Sequence, residues 1–306
     1  MTAILARRVS PYWFVLLAVL AGAVLLVERM HWGDRGLLWL KERHLSKGGR
    51  AASVWLPDYR AVIQGKPLPG LERGETSDLA YSPLTGTLFT ITGRRPQLVE
   101  LSRSGEVLRR IPLHGLSNPE GVAVLEDGNL AIVDERQRTL SVFRLEADTR
   151  ELNLRDSERF DLGYADAGNK GFEGVAWDPR QQRLLLGKER GPLALFSLPS
   201  DGGLSLQGAL QELLDEQLPL RNLSALSVDP RTGHLLVLSA ESHLLLELDE
   251  HGEPLSFISL IGGLNGLHSK IPRAEGVAMD EAGDIYMVSE PNLFYVFRKD
   301  EGAPAG

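Results

Sequence analysis

The sequence predicts an all-β fold, a five-bladed β-propeller behind an N-terminal transmembrane helix. Three observations predict it. Five segments of one pattern start at Ser77, Glu120, Glu173, Ser224 and Glu275, spaced 43, 53, 51 and 51 residues apart. Each has two short aliphatic strands joined by a turn rich in Asp, Pro and Gly. Ahead of them all, residues 11–27 form a run of seventeen residues without a charge.

The uncharged run PYWFVLLAVLAGAVLLV is apolar on every face. As a helix it would cover about 25 Å, near the lower limit for a hydrocarbon core. Tyr12 and Trp13 suit the interface, and Arg7 and Arg8 precede the run. A cleaved signal peptide competes, but Ala21-Gly22-Ala23, the triplet that fits a cleavage site, is followed by more apolar residues. An uncleaved inner-membrane anchor is therefore expected, with residues 1–10 cytoplasmic and the body in the periplasm. Residues 28–53 read as a juxtamembrane linker, in which GLLWLKERHL forms a short amphipathic helix on the headgroups. Positive charges after the span oppose this orientation by simple count, but a large domain translocates largely regardless of them.

Charge divides the chain the same way. Residues 1–50 carry eight Lys/Arg against three Asp/Glu, a balance of +5, which leaves −13 for residues 51–306. An acidic body argues against nucleic-acid partners, which need a basic face. The absence of cysteine excludes disulfides, thiolate metal sites and a cysteine nucleophile.

The propeller domain is expected over residues 54–299, with 300–306 as a tail. Third strands read as QLVEL, TLSVFRL, LALFSL, HLLLELD and LFYVFR, and fourth strands as RRIPL, RFDLG and SFISL. Residues 208–218, GALQELLDEQL, have a helical spacing and are expected to be an inserted helix. VWLPDYRAVI, residues 54–63, is expected to close the ring against residues 293–298. A six-bladed ring with one degenerate blade is the alternative.

EGVAMDEAGDIYMVSEPNLFYVF, GFEGVAWD, VLSAES and IVDER together resemble the SdiA-regulated, YjiK-like bacterial proteins over about residues 55–299. The resemblance implies a five-bladed propeller behind a membrane anchor, with a calcium site as a family-level expectation. It brings no catalytic residues, because the family is named for its regulation.

The repeat itself points to a site. Glu120, Glu173 and Glu275 open the first strand of their units, where Ser77 and Ser224 stand in the others. Glu135, Glu189, Glu241 and Glu290 end the second strand, with Gly93 in the remaining unit. In an antiparallel hairpin those positions are neighbours, so seven carboxylates should converge on one mouth. Such repulsion must be compensated. Arg136, Lys188 and Arg190, with Arg94, Arg95 and Arg273, are candidates for ion pairing. A Ca²⁺ ion held by Glu120, Glu173, Glu275, Glu135, Glu189 and Glu290 is the other remedy, with Asp134, Asn118 and Asn169 as further ligands. Capping of each blade's own backbone is the purely structural reading.

No HExxH, G-x-S-x-G, Walker A or GxGxxG pattern occurs. His234 and His243 read as surface residues, and Trp177, Tyr286 and Phe294 as blade packing. The Asp-Pro-Arg triplets at 178–180 and 229–231 read as hairpin turns. Three functions remain open: a tethered propeller that binds a small molecule or protein at its mouth, a calcium-dependent lactonase, esterase or phosphoesterase using the same carboxylates, and a cytoplasmic-facing adaptor if the positive charges after the span set the orientation.

Overall fold

Short strands that are apolar on both faces must be covered on both sides, and stacking sheets around a ring does this. The second strands of two units, Leu130–Asp134 and Leu235–Ser239, are buried along their whole length. The computed structural model describes residues 11–29, 32–155, 157–163, 171–206, 208–213 and 218–300. Among these, the strands form five sheets.

The first strand in the chain, β1 (Tyr59–Pro67), joins the last sheet. Blade 1 holds β2 (Thr76–Ser82), β3 (Thr87–Thr92), β4 (Gln97–Leu101) and β5 (Val107–His114). Blade 2 holds β6 (Pro119–Val124), β7 (Leu130–Asp134) and β8 (Thr139–Phe143), with β9 (Leu152–Asn153) crossing to pair in parallel with β5 before β10 (Arg159–Asp161) completes it. Blade 3 is β11 (Phe172–Asp178), β12 (Arg183–Lys188), β13 (Ala194–Pro199) and β14 (Gln211–Glu212). Blade 4 is β15 (Ala225–Val228), β16 (Leu235–Ser239), β17 (Leu244–Leu248) and β18 (Pro254–Ser259). Blade 5 is β19 (Ala274–Met279), β20 (Ile285–Ser289) and β21 (Leu293–Lys299), closed by β1. The inner strands β2, β6, β11, β15 and β19 pack in sequence, and β19 returns to β2. The ring has five blades, not six.

Apolar clusters fill the gaps between neighbouring blades. Between blades 5 and 1, for example, Tyr286, Val288 and Phe294 meet Leu79, Leu88 and Val99. The ring closes where β1 pairs antiparallel with β21, from Tyr59 opposite Lys299 to Pro67 opposite Leu293. This is the closure expected from residues 54–63.

One expectation fails in blade 3. Within residues 208–218, Gln211 and Glu212 pair with Ser197 and Phe196 as the outermost strand, so the described part is not helical. Leu210 and Leu213 still pack against the core. Backbone pairing to an open sheet edge outweighs the local helical spacing.

Among the described residues three α-helices precede the ring: α1 (Pro11–Arg29), α2 (Trp32–His44) and α3 (Lys47–Ala52). The side chains of α1 are described at residues 12–22 and are exposed. Among the described residues no helix is long and apolar enough to cross a membrane. The side chains at 23–27 of the expected span lie outside the described residues. α2 corrects the expectation of a helix resting only on headgroups, because one of its faces is docked on blade 4. Leu38 is buried in the core there, and Arg35 Nη2 donates to the Ser242 and His243 carbonyls at 2.7 and 3.1 Å. Glu42 accepts from the Phe257 N–H at 2.8 Å.

Candidate functional site

The mouth of the propeller is built by β-bulges. Four of the five inner strands shift register at their first residues, leaving Asp78, Glu120, Glu173 and Glu275 as the extra residue on the bulged strand. A bulge re-aims the side chain it carries. In blade 4 the ladder runs on without one, and the Ser224 N–H bonds the Leu238 carbonyl. The acidic position of blade 1 is therefore Asp78, one residue after the serine that the repeat alignment selects.

The glycine that follows each bulged glutamate has its own cause. A Cβ on Gly121 would lie 2.5 Å from the Glu173 carbonyl oxygen, and one on Gly276 would lie 2.5 Å from the Asp78 carbonyl carbon. The inner strands thus approach as closely as their backbones permit.

Asp78 differs from the glutamates. It is wholly buried and accepts from the Leu79 N–H at 2.8 Å and the Val122 N–H at 3.0 Å, with a further bond from Val175. One carboxyl therefore ties the inner strands of blades 1, 2 and 3 together. Burial pushes its pKa well above the usual carboxylate range, against the pull of those amides.

Above Asp78 the glutamates sit in compensated groups. The Asn118 side-chain NH₂ donates to Glu120 Oε1 at 2.7 Å and to Glu135 Oε2 at 3.1 Å. Glu135 Oε1 also accepts from the Gly171 N–H. Arg273 spans Glu275 at 3.3 Å and Glu290 at 2.8 Å. Arg190 pairs with buried Glu189 and reaches exposed Glu241 at 2.8 Å. Ser77 and Ser224, the residues that break the glutamate pattern, hydrogen-bond Glu120 and Glu275 of the next blade.

Glu173 is the exception. No hydrogen bond or ion pair to its carboxyl occurs among the described residues; Arg273 acts on it from a distance, and Glu189, Glu275, Glu120 and Glu135 oppose its charge. Burial, then those four like charges, push its pKa well above the ordinary value. Burial likewise lifts Glu120 and Glu275 to about 7. Glu290 is raised by burial, with Arg273 opposing.

The other expected residues lie at the same end of the blades but make other contacts. Lys188 is fully buried and its ammonium donates to the Arg190 and Pro192 carbonyls, and burial lowers its pKa. Arg136 is exposed. Asp134, offered as a ligand, instead accepts from the N–H groups of Ser117, Asn118 and Gln137. Asn169 lies outside the described residues. The structure adds Glu75, which pairs with Arg94 at 2.8 Å and acts on Glu290 and Arg273. Among the described residues, no group of three or more His, Asp or Glu side chains is arranged to hold a metal ion. Asn118, Arg273 and Arg190 each bridge two of the carboxylates.

At the opposite end, the hairpin aspartates do structural work. Asp229 accepts from the Arg231 and Thr232 N–H groups while Arg231 reaches the Ala282 carbonyl of blade 5. Arg103 of blade 1 pairs with buried Asp280 of blade 5 at 3.4 Å. His234 corrects its surface assignment, since its Nδ1 lies 2.7 Å from fully buried Glu247. Glu247 also accepts from the Val54 and Trp55 N–H groups, at 2.7 and 3.2 Å, and so fixes the entering chain on blade 4.

Comparison with known proteins bears on the family. A family model described as SdiA-regulated matches residues 51–298. A chain of the nidogen/laminin complex is 17% identical, with 75% of this chain and 85% of that chain covered and a TM-score of 0.49. Virginiamycin B lyase from Staphylococcus aureus, as a catalytically inactive form with quinupristin, is 12% identical over 72% of this chain and 65% of that chain, with a TM-score of 0.43. Its selenomethionine form gives 10%, 78%, 74% and 0.44. None of these likenesses bears on what this chain binds.

Proposed function

Because this chain belongs to the SdiA-regulated family across residues 51–298, whose name describes regulation and not chemistry, we propose from its own site that it is a membrane-tethered, periplasmic propeller whose acidic mouth binds the cationic group of a ligand or partner. The observation that carries this reading is Glu173, a carboxyl without a bonding partner among the described residues and surrounded by four other glutamates. A cation entering there would meet a carboxyl that Asn118, Arg190 and Arg273 do not bond and on which Arg273 acts only at a distance. An ammonium or guanidinium suits carboxylates spread in pairs better than a small hard ion that needs six to eight converging oxygens. Calcium is the competing occupant.

The tether is supported by α1, whose described apolar side chains stand in solvent, with Tyr12 82% and Leu20 52% exposed. A row of exposed aromatic and aliphatic residues of this kind needs an apolar medium or partner.

The test is a thermal-shift panel on the full chain in detergent, with spermidine as a soluble polyamine, with calcium chloride, and with a set of lactones and esters. Spermidine raising the melting temperature supports the organic-cation reading. A rise with calcium alone would replace it with a metal site. Turnover of a lactone or ester would make the protein a hydrolase, with a mouth glutamate as base.

A further inference from the structure

Helix α2 has two faces that differ in kind. At 100° per residue, Arg35, Leu38 and Glu42 share one side, and these hold blade 4 through the bonds and burial described above. On the remaining surface Trp32, Leu37, Trp39 and Leu40 are 61, 51, 48 and 50% exposed. Four large apolar side chains on a thirteen-residue helix are far more than an ordinary solvated face carries.

Three observations point to one occupant for that face. α2 follows α1 after two residues and is in contact with it, so its apolar face continues from the exposed apolar helix. Basic residues surround it: Arg43 and Lys47 are exposed, Lys41 is exposed while pairing with Glu253 of blade 4 at 3.3 Å, and the Arg43 guanidinium lies 4.6 Å above the Trp39 ring. These belong to the positively charged end of an otherwise acidic chain, which fits anionic lipid phosphates and not a second copy of the acidic body. Tryptophan beside arginine is also the composition of a headgroup boundary.

We propose that α2 is a bracket, with Arg35, Leu38 and Glu42 gripping blade 4 while Trp32, Leu37, Trp39 and Leu40 lie in the headgroup region of a bilayer. The propeller then rests on the membrane by the flank of blade 4 instead of swinging on a flexible linker. Because Arg35 bonds the Ser242 and His243 carbonyls, next to Glu241 of the mouth rim, the acidic mouth opens beside the membrane surface. This inference rests on the anchor reading of α1.

The chain has no cysteine, so single cysteines can be labelled uniquely. Leu17→Cys, Leu37→Cys, Leu40→Cys and Leu84→Cys, each in the full chain, would carry a fluorophore in vesicles of phosphatidylethanolamine and phosphatidylglycerol. Leu84 is the control, 68% exposed in the first turn of blade 1, at the end opposite the mouth. The proposal expects brominated lipid to quench labels 17, 37 and 40 severalfold more than label 84, and aqueous iodide to do the reverse. Quenching at 17 while 37 and 40 behave like 84 would leave the anchor standing and overturn the bracket. Labels 37 and 40 shielded from both quenchers would mean that protein covers the face, which also overturns it. Label 17 open to iodide would remove the anchor and the bracket together.

Discussion

Gly121 lies against the carbonyl of Glu173 so closely that a Cβ would come within 2.5 Å of it. The two residues belong to neighbouring blades, and that approach sets how tightly the inner strands close around the axis. Gly121→Ala should wedge blades 2 and 3 apart and cost about 1–3 kcal/mol, the usual penalty of overpacking. Gly48→Ala, whose Cβ would meet nothing closer than 3.9 Å, is the matched control and should be neutral or stabilising. Equal melting temperatures for the two variants would contradict the close-approach account.

The Glu-Gly pair was legible in the sequence, while its cause was not. Strand alternation and turn spacing reveal five blades, because each blade repeats the same burial problem. A bulge leaves no such periodic mark. That is why the repeat pattern selects Ser77 and not Asp78 in SDLAY: without the register of β2 on β3 the two alignments are equivalent. Outer strands such as β14 are two exposed residues held by backbone bonds, so side-chain pattern says little about them. The convergence of the glutamates followed from symmetry, but their sorting into pairs depends on Asn118, Arg190 and Arg273, whose reach no spacing encodes.

Glu247 holds the chain where it enters the ring. Glu247→Ala would strip the Val54 and Trp55 N–H groups, the Ser256 hydroxyl and His234 of their common acceptor. Loss of a buried charged partner of this kind costs about 3–5 kcal/mol. Denaturant melts should show that loss, together with faster proteolysis between α3 and β1. An unchanged midpoint would mean that the entering segment contributes nothing to the fold.

The mouth should make the protein less stable as pH rises. Glu120 and Glu275 are lifted from 4.5 to about 7, so the folded state holds protons that the unfolded chain has released. The penalty is absent below pH 4.5, grows as pH climbs toward 7, and is complete above it. Each group titrating alone would contribute about 3 kcal/mol, less where neighbours share the proton. Unfolding free energies measured from pH 5 to pH 8 should fall, and the double variant Glu120→Gln, Glu275→Gln should flatten the slope and be the more stable protein at pH 8. A profile that rises with pH would show that the carboxylates are held ionised.

Membrane topology can be read separately. An alkaline phosphatase fused after the C-terminus should be active, as required by a propeller on the periplasmic side. Activity only from a cytoplasmic reporter would reverse the orientation and make the positive charges after α1 decisive.

The central claim is that Glu173 receives a cation, and calorimetry tests it most directly. Full-length protein in detergent, titrated with spermidine in two buffers of different ionisation enthalpy, should bind more tightly at pH 8 than at pH 6. Near pH 7 it should release protons as Glu120 and Glu275 give them up. Glu173→Gln, which keeps the shape and relieves the repulsion, should fold normally and lose at least about tenfold in affinity, or 1.4 kcal/mol. Equal affinity in wild type and Glu173→Gln, or no binding heat from either, would contradict the account.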